Sequence, residues 1–220
     1  MQSKYDIYYK DNNQCSFFGE PKQEIINMLD ELAKDNNGKK TILDIASGDG
    51  RHIIPAAERG FIIIGVEKNK QGIEITRKRL EQLGKFAELI NCDMLDFNIE
   101  RNHYDGIIFS DAIHFICNLN VLKEYIKKIQ RGTKNNGQNI IRFLTEVKLD
   151  NKPYKDRINI STEDAQALLE NAYTDWEISF LPKVIVNKDI QERDDDGVFR
   201  THKYHAVRIT MIAKKIELNS

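Results

Sequence analysis

The chain has 220 residues, enough to bury one sizeable core, so a single domain spanning residues 1–220 is expected. Its 33 Lys and Arg nearly cancel 34 Asp and Glu to a formal charge of −1, which offers no basic field for nucleic acid or an anionic membrane. The apolar runs fall far short of the ~20 residues that cross a bilayer, and Cys15, Cys92 and Cys117 are too widely spaced to suggest a metal site.

The opening MQSKYDIYYK has no apolar signal core, so a cytoplasmic location is expected. Tyr5, Tyr8, Tyr9, Phe17 and Phe18 then cluster ahead of the first helix. That many aromatics are costly to leave in water, although a terminus can also fray and pack where it can.

Short apolar runs follow at 41–45 (TILDI), 61–66 (FIIIGV), 86–92 (FAELINC), 104–109 (YDGIIF) and 139–144 (NIIRFL). Loops or helical patterns separate them, which is the alternation of a parallel sheet. NKQGIEITRKRLEQLG places Ile73, Thr76, Leu80 and Leu83 on one face, with Asn69 as N-cap and Gly84 as stop. VLKEYIKKIQRG does the same with Leu122, Tyr125, Ile126 and Ile129, its lysines forming a solvated face. In STEDAQALLENAY, Ser161 caps a further short helix. DWEISFLPKVIVN and KYHAVRITMIAKK read as two antiparallel strands joined by a polar stretch that contains DDDG.

The chemistry concentrates in TILDIASGDGRHI. Gly48 and Gly50 let the main chain turn sharply and approach a ligand closely, between a buried strand and a helix start that suits a polar or anionic group. A dinucleotide turn would want a third glycine where Ile53 stands, and no Gly-Lys-Ser/Thr follows as in a P-loop. What remains is three acids at successive strand ends: Asp44, Glu67 and Asp93. Glu67 is placed to accept both hydroxyls of a ribose, and Asp93 to accept from an adenine amine. Asp44 either touches the ligand or orients the turn by accepting its N–H groups.

ILDIASGDGRH, GVEKN, NCDML and YDGIIFSDAIHF together resemble the class I S-adenosylmethionine-dependent methyltransferases, over roughly residues 40–116. FFGEP, IQRGTKNNGQNII, TDWEISFLPKVIVN and VRITMIAKK extend the likeness to the tellurite-resistance methyltransferase family and its small-molecule relatives. Two departures stand out. Asn135-Asn136-Gly137 replaces the proline-glycine-glycine before the fifth strand, and no His-Arg pair precedes the last strand, the nearest residues being Gln191, Glu192, Arg193, His202 and Lys203. Tellurite is therefore left unassigned as substrate.

The resemblance implies an α/β Rossmann-like fold, with a seven-stranded, mostly parallel sheet, an antiparallel last strand and helices on both faces. It implies S-adenosylmethionine as cofactor, held by Asp44, Ala46, Ser47, Gly48, Gly50, Glu67, Lys68, Asp93, Met94 and Ser110. Residues 1–20 would form a lid that closes over cofactor and acceptor. His114 would face the transferred methyl as a base, or else be a packed histidine. Tyr9, Phe18, Arg193 and His202 would meet the acceptor, the last two on a cationic rim of the 187–203 connection that could equally be a solvated hairpin. Ser110-Asp111-Ala112-Ile113 stands where nucleic-acid amino methyltransferases carry Asn/Asp-Pro-Pro-Tyr, so the expected acceptor is a small polar or anionic molecule, methylated by in-line displacement. The expected assembly is a monomer or homodimer, with no nucleic-acid or membrane partner. The competing readings are an NAD-dependent oxidoreductase and a non-catalytic adenosyl-binding module.

Overall fold

The computed structural model describes residues 16, 18–35, 38–194 and 196–216, with the backbone alone at Arg193. In chain order the elements are α1 (Gln23–Lys34), β1 (Thr41–Ile45), α2 (Ile53–Glu58), β2 (Ile62–Val66), α3 (Lys70–Gln82), β3 (Glu88–Ile90) and β4 (Tyr104–Ser110). After a 3-10 turn at Ile113–Phe115 come α4 (Leu119–Gly132), β5 (Thr133–Leu149), β6 (Lys152–Pro153), α5 (Thr162–Ala172), β7 (Trp176–Phe180), β8 (Val184–Arg193) and β9 (Phe199–Lys215).

The sheet runs β3-β2-β1-β4-β5-β9-β7, with β6 paired to β5 and β8 to β9. β3, β2, β1, β4 and β5 are parallel, and β9 enters antiparallel between β5 and β7. This is the expected seven-strand path with two additional strands, the two-residue β6 and the ten-residue β8. Several sequence boundaries shift. The run 86–92 keeps only three paired residues, and DWEISFLPKVIVN splits at Leu181-Pro182-Lys183 into β7 and β8, because Pro182 has no N–H to donate to a ladder. Asn135-Asn136-Gly137 lies inside β5 as a bulge: Asn136 takes a positive φ of 62°, and the register jumps from Tyr104 opposite Thr133 to Gly106 opposite Gln138.

Strand alternation sends side chains to two helix layers. Leu43, Ile45, Ile107, Phe109, Ile141 and Phe143 pack with Leu122, Ile126 and Ile129 of α4 and Leu169 of α5. Ile42, Ile108 and Ile140 pack on the opposite face with Ile25, Met28 and Leu29 of α1 and Ile53 of α2. Each such side chain, fully buried, is worth about 1.5–3 kcal/mol. Asn69 caps α3 by accepting from Gln71 N (2.8 Å) and Gly72 N (3.3 Å), and Ser161 caps α5 by accepting from Asp164 N (3.0 Å). Ile73, Thr76 and Leu80 are buried on α3 as expected, but Leu83 sits at its C-cap and is exposed.

By the same alternation Asp44, Ser110, Arg142 and Arg208 lie on the α1 face, beyond the last apolar layer of that face. Ser110 is opposite Arg142 and Arg142 opposite Thr210, so a polar row crosses the C-terminal edge of the parallel strands. Past this edge β5, β6, β8 and β9 continue as an arm around Leu144, Val147, Tyr204 and Ala206. Among the described residues no helix is long and apolar enough to cross a membrane.

Candidate active site

β1 delivers the chain to a turn in which Ala46 (φ 55°), Gly48 (φ 61°) and Gly50 (φ 81°) are all left-handed. Only close packing holds a turn like this. A Cβ on Gly50 would lie 2.5 Å from Thr76 Cγ2, and one on Gly72 would lie 2.6 Å from the Gly48 carbonyl, so α3 presses directly on the loop. Glu67, at the end of β2, locks it from the other side. Its Oε2 accepts from Gly48 N (2.9 Å) and its Oε1 from Asn69 N (2.8 Å). Burial pushes the Glu67 carboxyl up, opposed by those two amides. Each carboxylate oxygen keeps a lone pair for a further donor.

Asp44 is 2% exposed and pushed up to about 8, first by burial and then by Glu67, against the pull of Arg51. His52 Nδ1 lies 4.0 Å from Asp44 Oδ2, and burial followed by Arg51 and Arg142 drives His52 well below its usual value, so it is neutral. Around the turn Asp44 Oδ2, Ser47 Oγ and Ser110 Oγ are buried without hydrogen-bond partners. Orphaned polar atoms at a strained turn are the signature of a site completed by a polar ligand.

The remaining expected cofactor residues are less concentrated. Asp93 Oδ1 caps its own turn by accepting from Leu95 N (3.0 Å), and Lys68 Nζ lies 3.7 Å from its Oδ2, with Lys68 exposed and Asp93 half-buried. The Met94 carbonyl accepts from Tyr125 Oη at 3.0 Å. His114 is 4% exposed in the 3-10 turn, stacked on Phe115 at 4.5 Å, with its carbonyl accepting from Ile158 N. Phe18 docks at the glycine turn: its carbonyl accepts from Arg51 Nη1 (2.7 Å), and neighbouring Ser16 donates to Asp49 Oδ1 (2.6 Å). Tyr9 and most of the proposed lid lie outside the described residues, as does the Arg193 side chain.

The 187–203 hairpin is placed elsewhere. His202 is six residues before Arg208 on β9, about 20 Å further along a strand. It bonds Asp150 at 2.7 Å and sits 3.1 Å from Asp194, and its imidazole is raised chiefly by the Asp150 bond. Arg200 is matched by Asp194 and Asp196, and Lys203 by Asp189. Arg200, His202 and Lys203 are thus each matched by a carboxylate, and the structure does not bring His202 to the glycine turn.

A cationic group that the sequence did not single out stands at the strand edge instead. Asp111, directly after β4, has a positive φ of 57° and accepts from Arg208 Nε at 2.8 Å. Arg142 Nη2 is 3.5 Å from its Oδ2 and Arg51 Nη2 is 3.9 Å away. Burial would raise this carboxyl, but Arg142, Arg208 and Arg51 together hold it below the usual range. Arg142 also pairs with Glu24 at the start of α1. The available signal was a lone arginine inside the apolar run NIIRFL. A charged side chain is rarely buried unless it is paired.

Comparison with known proteins agrees with this geometry. Residues 42–137 match the family described as "Methyltransferase domain". A protein of Geobacillus sp. (strain WCH70) named as a methyltransferase is 21% identical over 165 residues, 75% of this chain and 65% of its own length. TehB from Haemophilus influenzae superposes with a TM-score of 0.59 at 22% identity, over 85% of this chain and 61% of TehB. The 1,6-didemethyltoxoflavin-N1-methyltransferase of Burkholderia thailandensis, solved with 1,6-didemethyltoxoflavin and S-adenosylhomocysteine, gives 0.60 at 14% identity, over 89% and 78%. This chain therefore spans slightly under two thirds of the first two relatives.

Proposed function

We propose that this chain, a class I S-adenosylmethionine-dependent methyltransferase by domain and fold, passes a methyl group by in-line displacement to a small polar or anionic acceptor. The observation that carries the acceptor reading is the Asp111 group: three arginines at the strand edge, one of which, Arg51, begins the segment after the glycine turn.

The residues present suit the cofactor. Glu67 is positioned for ribose hydroxyls, the left-handed turn brings bare backbone close to the ligand, and Asp44, Ser47 and Ser110 offer unpartnered polar atoms. When bound, S-adenosylmethionine supplies a methyl already activated on a sulfonium. The protein's task is then to hold the nucleophile in line, to exclude water and to take a proton if one leaves. Phe18, held to Arg51, covers one side of the turn. Asp111 and His114 stand in the loop after β4, and Asp111, kept ionised by its arginines, stabilises cations around the acceptor rather than serving as a base. The nicotinamide and non-catalytic readings are not favoured, since the family match is to a methyltransferase domain.

Isothermal titration with S-adenosylmethionine, S-adenosylhomocysteine and NAD tests the reading. Binding of the first two but not the third is expected, and tight NAD binding with no adenosylmethionine heat would overturn it.

A further inference from the structure

We propose that Arg208 grips a carboxylate of the methyl acceptor between its two terminal nitrogens, with Asp111 fixing the plane of the guanidinium and Arg142 and Arg51 supplying the surrounding field. This deepens the small-acceptor reading and rests on it.

A guanidinium carries five N–H donors in a rigid fork. Arg208 spends Nε on Asp111 at 2.8 Å, while Nη1 and Nη2 have no partner among the described residues. The side chain as a whole is 22% exposed. Bound side-on through Nε, an arginine is aimed, and its two terminal nitrogens match the spacing of two carboxylate oxygens.

Charge balance points the same way. Lys22, Arg51, Arg142 and Arg208 share the region with Asp111, Glu24 and Asp49, four cations against three carboxylates, while Asp44 is pushed up to about 8 by burial. Lys22 is lowered first by burial and then by Arg51 and Arg142, as expected where positive charge is in excess. Arg142 Nε is buried with no partner, an unfilled donor on the inner wall.

The outer wall is aromatic. Arg157 stacks 4.0 Å over Phe115 and 4.6 Å over Tyr154, and Tyr154 meets Tyr204 edge-on at 6.4 Å. Tyr204 lies four residues before Arg208 on β9 and, by strand alternation, on the same face of the sheet. One free fork beside aromatic carbon suits an organic carboxylate. Arg142 uses both terminal nitrogens on Glu24 and Asp111, which leaves Arg208 as the planar pair of free terminal nitrogens, and inorganic phosphate becomes the competitor that the test must rank.

The test is calorimetry on the full chain loaded with S-adenosylhomocysteine and titrated with benzoate, acetate, benzamide and inorganic phosphate. Benzoate should bind at least about tenfold more tightly than its neutral isostere benzamide, and more tightly than phosphate. Arg208→Met should lose benzoate by about tenfold or more while S-adenosylhomocysteine affinity stays unchanged, and Arg208→Lys, with the charge but not the fork, should lose most of it too. Equal binding of benzoate and benzamide, a preference for phosphate, no carboxylate binding at all, or full benzoate binding by Arg208→Met would each overturn the proposal. If Arg208→Met misfolds, the wild-type series and Arg208→Lys still decide. Failure of the wild-type chain to bind S-adenosylhomocysteine would instead refute the methyltransferase reading beneath it.

Discussion

The glycine turn and the Asp111 cluster sit on the same sheet edge but are built differently. The turn is held by contacts between near neighbours in sequence: Glu67 reaches back 19 residues to Gly48 and forward two to Asn69. The cluster is assembled from distant segments, Asp111 with Arg208 97 residues apart and Arg142 with Glu24 118 apart. The first is a backbone shape that a few residues dictate. The second is a charge balance that exists only once the sheet has formed.

The sharpest way to break the comparison is to remove Asp111. Asp111→Ala leaves Arg142, Arg208 and Arg51 facing one another in a buried setting, and denaturant unfolding should show a loss of about 3–5 kcal/mol. A loss well under about 1 kcal/mol would mean that water already screens the arginines, and that the cluster is surface charge. Glu67 probes the local region by a different readout. Glu67→Ala frees two amides and removes the acceptor of the ribose hydroxyls, so titration should show S-adenosylmethionine binding weakened by roughly 2–3 kcal/mol. An unchanged dissociation constant would confine Glu67 to scaffolding the loop.

A third probe reads a slope rather than a single loss. Asp44 is raised from an ordinary 3.8 to about 8, so between those limits the unfolded chain has released a proton that the folded chain retains. Stability should therefore fall as pH rises through that window and level off above it. Asp44→Asn, neutral throughout, should flatten the profile measured by denaturant unfolding across the same range. An identical slope in the variant would assign the pH dependence to other groups.

The same contrast explains what the sequence revealed. The strand rhythm, the Asn69 and Ser161 caps and the glycine turn all rest on short-range periodicity and turn chemistry, and the structure keeps them. The split at Pro182 was visible as a proline inside an apolar run, yet the run read as continuous because its flanks are both strand-like. The cluster was hidden because alternation in KYHAVRITMIAKK assigns Arg208 to a polar face without saying what that face meets. Burial of Arg142 depends on α1 bringing Glu24 across the sheet. Conversely, the hairpin cations looked available because the 187–203 stretch read as a polar connection in which DDDG turns the chain. The pairing of Lys203 with Asp189 follows from the β8–β9 register, and that of His202 from the approach of Asp150 after β5.

Ile53 occupies the place where a third glycine would let a helix lie close to its strand. The room is found on the strand instead. A Cβ added at Gly65 would come within 2.4 Å of Ile53 Cδ1, so the missing volume has moved from helix to sheet while the separation of the two elements is preserved. Positions 53 and 65 therefore behave as one knob and one socket, and their substitutions are conditional on each other. A side chain at 65 is opposed first by the isoleucine tip and then by Leu89 and Ser47, so trimming residue 53 would ease it only in part.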